Sequence, residues 1–241
     1  MPALEDVDAP PRRDTEAERR KKVAAAVAAM LAIEWLARSS MKATMSLTIA
    51  RFLAMGADAA TVRQAIRASE RGAILRARTA AREGAREAWR SQTGLAAHAE
   101  AMKIAADHEA ADRAASSLAA RWQRKQADAI AQALAEGGPY RGRGYASLKA
   151  AEAVAPHVDT IAATETAAAW NAEHEALAHH ARSLGYVIEY TWEAEGDRRT
   201  CPACASLDGT KTTDPSGFDD GWPPKHPRCR CQVSARVERL H

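Results

Sequence analysis

The residues best equipped for chemistry crowd together near the C-terminal end. Cys201-Pro-Ala-Cys204 is followed 22 residues later by His226-Pro-Arg-Cys229-Arg-Cys231, and these are all the cysteines in the chain. A Cys-x-x-Cys turn sets two thiolates at the separation one tetrahedral Zn²⁺ requires, and a second knuckle supplies the remaining pair. Five candidates compete for four positions. In a regular strand residues i and i+2 stand about 6.6 Å apart, farther than neighbouring sulfurs on one zinc. Spacing therefore favours Cys201, Cys204, His226 and Cys229, with Cys231 turned inward as a small core residue. The same residues also allow a reversible disulfide between Cys201 and Cys204, or plain buried thiols at Cys229 and Cys231.

One structural zinc per chain is the expectation. The loop around these residues has few large apolar side chains, and a bound metal can supply on the order of 10 kcal/mol of folding energy. Asp197, Asp208, Asp214, Asp219 and Asp220 flank the cluster. They would build a hydrolytic centre only if water replaced a protein ligand, and a closed, cysteine-rich set leaves no such opening. Asp208-Gly209 reads instead as a tight turn, and Asp197 as an acceptor for backbone donors beside the knuckle. No Walker sequence, serine elbow or dinucleotide loop accompanies the cluster. His174-Glu175 lacks the second histidine of a zincin, because position 178 is alanine. His174, His179 and His180 read as surface residues of an alanine-rich helix.

The elements that must position the cluster follow from hydrophobic period. After Gly185 the period is two: Tyr186, Ile188, Tyr190 and Trp192 alternate with Val187, Glu189, Thr191 and Glu193, which predicts a half-buried strand. Residues 195–227 read as loop. Cys229, Cys231, Val233, Ala235 and Val237 alternate with polar residues and predict a second strand paired with the first. Both strands are expected to pack on a helix from Asp159, its N-cap, to Ser183, stopped by Gly185. A shorter helix from near Ser147 is expected to end at Pro156. Upstream, Val23, Val27, Met30, Leu31 and Ile33 to Leu36 give a helical pattern over 14–55. Gly56 and Asp58 then stop and restart it, and 58–136 reads as a long helical tract weakened near 91–94.

Composition agrees. Of 241 residues 59 are alanine, and only 12 are aromatic. The chain is thus rich in the best helix former and poor in what strands need, which excludes an all-β fold. The fold class expected is α+β, predominantly α. Its parts are a disordered leader over 1–13, an alanine-rich helical region over 14–146, and a C-terminal domain over 147–241 built from helix, β-hairpin and knuckle-like loop. The start of the chain lacks the basic-then-apolar pattern of a signal peptide, and no run of 18 apolar residues escapes a charge, so a soluble chain without a membrane partner is expected.

Net charge is +3, but residues 1–156 hold 25 basic against 18 acidic side chains, and residues 157–241 hold 9 against 13. Between positions 63 and 90 lie eight arginines: Arg63, Arg67, Arg71, Arg76, Arg78, Arg82, Arg86 and Arg90. Those spaced by four fall within about half a helix circumference. All but Arg76 form a candidate face for phosphates, giving salt-sensitive binding of double-stranded DNA without sequence preference, or for an acidic protein surface. The plainer alternative is a solvated helix laced with Glu–Arg pairs.

The C-terminal residues also carry a likeness. Thr164-Glu165-Thr166 with Ala168, Trp170 and Asn171, then Gly185, the strand ending at Trp192, Asp197 to Thr200, the Cys201/Cys204 turn, Leu207-Asp208-Gly209 and the run Pro223 to Cys231 resemble the phage Mu protein F-like family. The likeness spans roughly 156–233. One departure is Lys225, where the family pattern has an apolar residue before the histidine. Members are minor head, or head morphogenesis, proteins of tailed double-stranded DNA phages and prophages. The resemblance implies a virion component present in few copies. It would associate with the portal or inner capsid, contacting portal or major capsid protein and packaged DNA, after assembly in the host cytoplasm. It implies no catalytic residue, and no enzyme is expected. The alternatives from other classes are a zinc-stabilised bacterial DNA-binding module and a metal-dependent hydrolase.

Overall fold

Thr15 opens the first helix. Its hydroxyl accepts from the Glu18 N–H at 3.2 Å, and the Glu18 carboxylate accepts from the Thr15 N–H at 2.7 Å, a reciprocal cap that satisfies two otherwise orphaned donors. In the computed structural model, which describes residues 15–95, 142–214, 216–218 and 221–240, this helix is α1, Glu16–Ala54. Gly56, at φ 75°, takes the left-handed turn that reverses the chain. Asp58 caps α2, Ala59–Thr93, by accepting from the Thr61 N–H at 2.8 Å. Gly94, at φ 70°, closes it. The next described helix is α3, Gly142–Ser183, followed by Gly185 at φ 89°.

Beyond α3 lie β1 (Tyr186–Glu193), α4 (Pro202–Leu207), β2 (Lys211–Thr212) and β3 (Gln232–Leu240). The strands form one antiparallel sheet in the order β2-β1-β3. The fold is therefore predominantly helical α+β, as composition predicts. In β1 Ile188, Tyr190 and Trp192 are buried as the alternation predicts, while Tyr186 is half-buried and Thr191, from the other face, is buried too. Tyr190 and Ile188 pack with Val233 and Ala235 of β3 on Leu177 and Ala181 of α3.

Arg78 meets Glu165 and Arg86 meets Glu173, each pair 87 residues apart, so α2 and α3 run in the same direction. The turn at 55–58 sets α1 antiparallel to α2. The helices share a core: Met41, Met45 and Ile49 of α1 meet Val62 and Ile66 of α2 and Val158 and Ile161 of α3. Further along, Met30 packs on Ala81, Ala85 and Trp170. Close approach there depends on Gly84, where an added Cβ would stand 2.7 Å from the Trp170 ring.

Several expectations change. Pro156 does not end a helix but lies inside α3, its missing N–H costing one bond in a helix held on two sides by tertiary packing. Asp159 is consequently not a cap. It pairs with Lys42 at 2.8 Å and Arg38 at 3.4 Å, both on α1. The division expected at 146/147 falls within α3. On α1 the buried stripe is Ala26, Met30, Glu34, Ala37, Met41, Met45 and Ile49, while Trp35 and Leu36 are exposed. Residues 195–227 are not all loop, since α4 and β2 form inside them. By length and composition α1 could cross a membrane, yet here it forms one wall of the helical layer, with Arg38 and Lys42 turned to α3. The leader over 1–13 and the expected tract from 96 to 136 lie outside the described residues.

Candidate metal centre

Cys201 begins as a helix cap. Its sulfur accepts from the Cys204 N–H at 3.3 Å, and Pro202 occupies the first turn of α4, where no N–H is needed. The Cys-x-x-Cys geometry is thus built by a six-residue helix, with both sulfurs on its N-terminal side. The second knuckle comes back against it after a turn at Arg228, which has φ 65°, and reaches β3 only at Gln232.

The side chains converge. Nε2 of His226 lies 3.2 Å from Cys201 Sγ and 3.4 Å from Cys204 Sγ, and Cys204 Sγ lies 3.8 Å from Cys229 Sγ. Tetrahedral zinc with bonds of about 2.3 Å to sulfur and 2.05 Å to nitrogen needs edges of about 3.8 Å between sulfurs and about 3.6 Å from sulfur to nitrogen. The donor set fits. Two triads, Cys201–Cys204–His226 and Cys204–Cys229–Cys231, each hold their ligand atoms within 4.8 Å of one another. All four cysteines are free of disulfides.

Cys231 departs from expectation in part. It is buried beside Trp192, Cys204 and Cys229, as a core residue would be. Residues 229–231 nevertheless precede β3, and the Cys229 and Cys231 sulfurs both lie within 4.8 Å of Cys204 Sγ and of each other. The structure brings all five candidates to one place.

Crowding of the sulfurs drives their titrations apart. The Cys231 thiol donates to Cys229, and this, against the opposing cost of burial, brings the Cys229 pKa down to about 5. Cys231 itself is pushed up, by that same bond and by burial. Burial also pushes Cys204 up to about 12, with the neighbouring Cys229 charge adding to it. Cys201 is lowered, first by the Cys204 N–H. Burial pulls His226 down, but the Pro227 carbonyl and the Cys229 and Cys201 thiolates outweigh it and raise its pKa. His226 Nδ1 lies 2.9 Å from the Pro227 carbonyl. Donation there leaves Nε2 with its lone pair facing the sulfurs, the tautomer a metal ligand needs.

The surrounding acids are otherwise engaged. Asp197 accepts from the Arg199 N–H at 2.8 Å and from Arg230 at 2.6 Å, and these bonds hold its carboxyl well below the usual range, Arg230 contributing most. Asp208 accepts from the Ala194 N–H at 2.8 Å, and Gly209 has φ 74°. Asp214 accepts from the Ser216 N–H at 2.9 Å. Asp219 and Asp220 lie outside the described residues.

The arginine face is less uniform than its spacing suggests. Arg67, Arg71, Arg76 and Arg90 are exposed, Arg90 in a pair with Glu87. Arg82 is half-buried, and the Arg63 side chain lies outside the described residues. Arg78 is 8% exposed and donates to Glu165 at 2.6 Å, and Arg86 donates to Glu173 at the same distance. Both turn into the α2–α3 interface because α3 offers carboxylates at the matching spacing of eight. His174 is the other correction. It is buried, with Nδ1 2.9 Å from Val233 O and Nε2 3.0 Å from Ala85 O. His179 is exposed and His180 half-buried. The repeat shared by Arg78/Arg86 and Glu165/Glu173 was the available signal for these inward residues.

Residues 124–234 match the family model described as Phage Mu protein F like protein. The matched span contains the five candidate ligands and the Thr164 to Asn171 run, and it extends the likeness upstream of 156. No curated protein and no solved structure matches the chain.

Proposed function

We propose, from the phage Mu protein F-like match over 124–234, that this chain is a minor capsid protein of a phage or prophage and acts in head morphogenesis. Its place is the virion, at the portal vertex or inner capsid, after assembly in the host cytoplasm. One observation carries the reading: the matched span is also the span in which four cysteines and His226 converge as two ligand triads that share Cys204. The C-terminal module is a docking unit held in shape by one structural zinc. Cys201, Cys204 and His226 would hold the ion with Cys229, and Cys231 lies beside it. Bound there, zinc would cross-link α4 to the chain entering β3, a role of shape and not of turnover.

This reading makes the protein a non-enzyme. Its partners are portal or major capsid protein, through the exposed residues of α1 and α2 or through the module itself. Packaged DNA is a weaker partner, because two of the seven candidate arginines are used inside the fold. Co-expression with the portal and major capsid proteins of the same phage or prophage, followed by affinity capture, tests the proposal. Stoichiometric recovery of either supports it. Recovery of neither, with tight binding of random duplex at moderate salt, would favour the DNA-binding alternative.

A further inference from the structure

The run Thr164-Glu165-Thr166 with Trp170 and Asn171 contains no metal ligand, yet these side chains are buried along the middle of α3. Their bonds lead to the second knuckle. Thr164 Oγ1 donates to the Thr160 carbonyl at 2.7 Å and accepts from the Arg228 N–H at 2.9 Å. Asn171 Nδ2 donates to the Ala167 carbonyl at 2.8 Å and to the Cys231 carbonyl at 3.0 Å. Each side chain thus spends one bond on its own helix, which fixes its rotamer, and one on the incoming chain. The two captured groups, at 228 and 231, bracket Cys229 and Cys231.

Arg228 adopts φ 65°, so the chain leaves an extended path just where Thr164 takes its N–H. Because α3 is a rigid rail, Thr164 and Asn171 fix both the height and the rotation of the 228–231 segment. The rail is itself braced: Glu165 is held by Arg78, and Trp170 lies against Gly84. Metal ligands owe much of their affinity to such outer supports, whose loss typically costs 10–100-fold.

We infer that Thr164 and Asn171 are positioning residues for the metal centre, holding Cys229 and Cys231 where their sulfurs meet Cys204. The inference rests on the zinc reading above. The test uses the full chain, with zinc affinity measured by competition against a chromophoric chelator and cobalt(II) spectra as a second readout. Thr164→Val, which keeps shape and loses the hydroxyl, is expected to weaken zinc binding about 10–100-fold, and Thr164→Ser to restore it. Asn171→Ala, a good helix former, should weaken it similarly and covers the case in which Thr164→Val does not fold. Ile49→Val, in the α1–α2–α3 core, should lower the melting temperature and leave affinity unchanged. Wild-type affinity in folded Thr164→Val and Asn171→Ala, with melting temperatures lowered equally in metal-free and loaded protein, overturns the inference and leaves the metal centre standing. A wild-type chain that binds neither zinc nor cobalt rejects both.

Discussion

Glu70 shows how much one buried group can cost. It is 3% exposed on α2, with Oε1 unpaired among the described residues. Burial first, then the Glu165 charge, raise its pKa to about 7, against the lowering effect of Arg67. The folded chain therefore holds a proton that the unfolded chain releases near pH 4.5. This support is complete below pH 4.5 and is lost as pH rises through 7. Glu70→Gln, which mimics the protonated form, should match wild type in urea unfolding at about pH 4.5. It should exceed wild type by up to about 3 kcal/mol at about pH 8, since each tenfold change in proton affinity is worth roughly 1.4 kcal/mol. Equal stability at both pH values would refute the protonated state. Sequence could not reveal this residue, nor the buried His174. In an alanine-rich helix both faces look alike, and burial is decided by which neighbour arrives. The cysteines and His226 were legible because ligand chemistry leaves few residue types able to substitute for them.

Among the elements, α2 and α3 lie parallel and are locked by two ion pairs in register. Removing one partner of a buried pair strands the other charge, at a typical cost of about 3–5 kcal/mol. Arg78→Ala should therefore destabilise by about that amount in denaturant unfolding, because Glu165 stays in the interior. Arg71→Ala, at an exposed site on the same helix, should change stability by under about 0.5 kcal/mol. Similar effects for the two would mean that Arg78 is solvated like its neighbours. Helix existence was legible, and Asp58 and Gly185 stand where the sequence puts them; Gly94, read as a weak point in a longer tract, closes α2 instead. Pro156 was misleading, since tertiary contacts with α1 and α2 override the local preference to break. β3 begins at Gln232, after the cysteine alternation and not within it, because the period-two pattern starts just past the left-handed turn at Arg228 and takes in the knuckle cysteines.

Taken whole, the molecule joins a helical layer built on alanine and methionine to a small sheet, and α3 serves both. The sheet buries Trp192 against the sulfur cluster, so loss of the ion should loosen the region after β1 before it affects the helices. Composition made the helical character legible, and the Cys/His spacing made the module legible. The parallel run of α2 and α3 was hidden, because direction depends on contacts between residues 87 apart. The account depends most on a coordinated ion in the C-terminal module. Native mass spectrometry of the full chain, purified under reducing conditions without added metal, tests this directly. The account predicts a mass increment of one zinc per chain, absent in the double variant Cys201→Ser, Cys204→Ser. A folded wild-type chain with four reduced thiols and no metal, or a double variant that keeps its zinc, would contradict it.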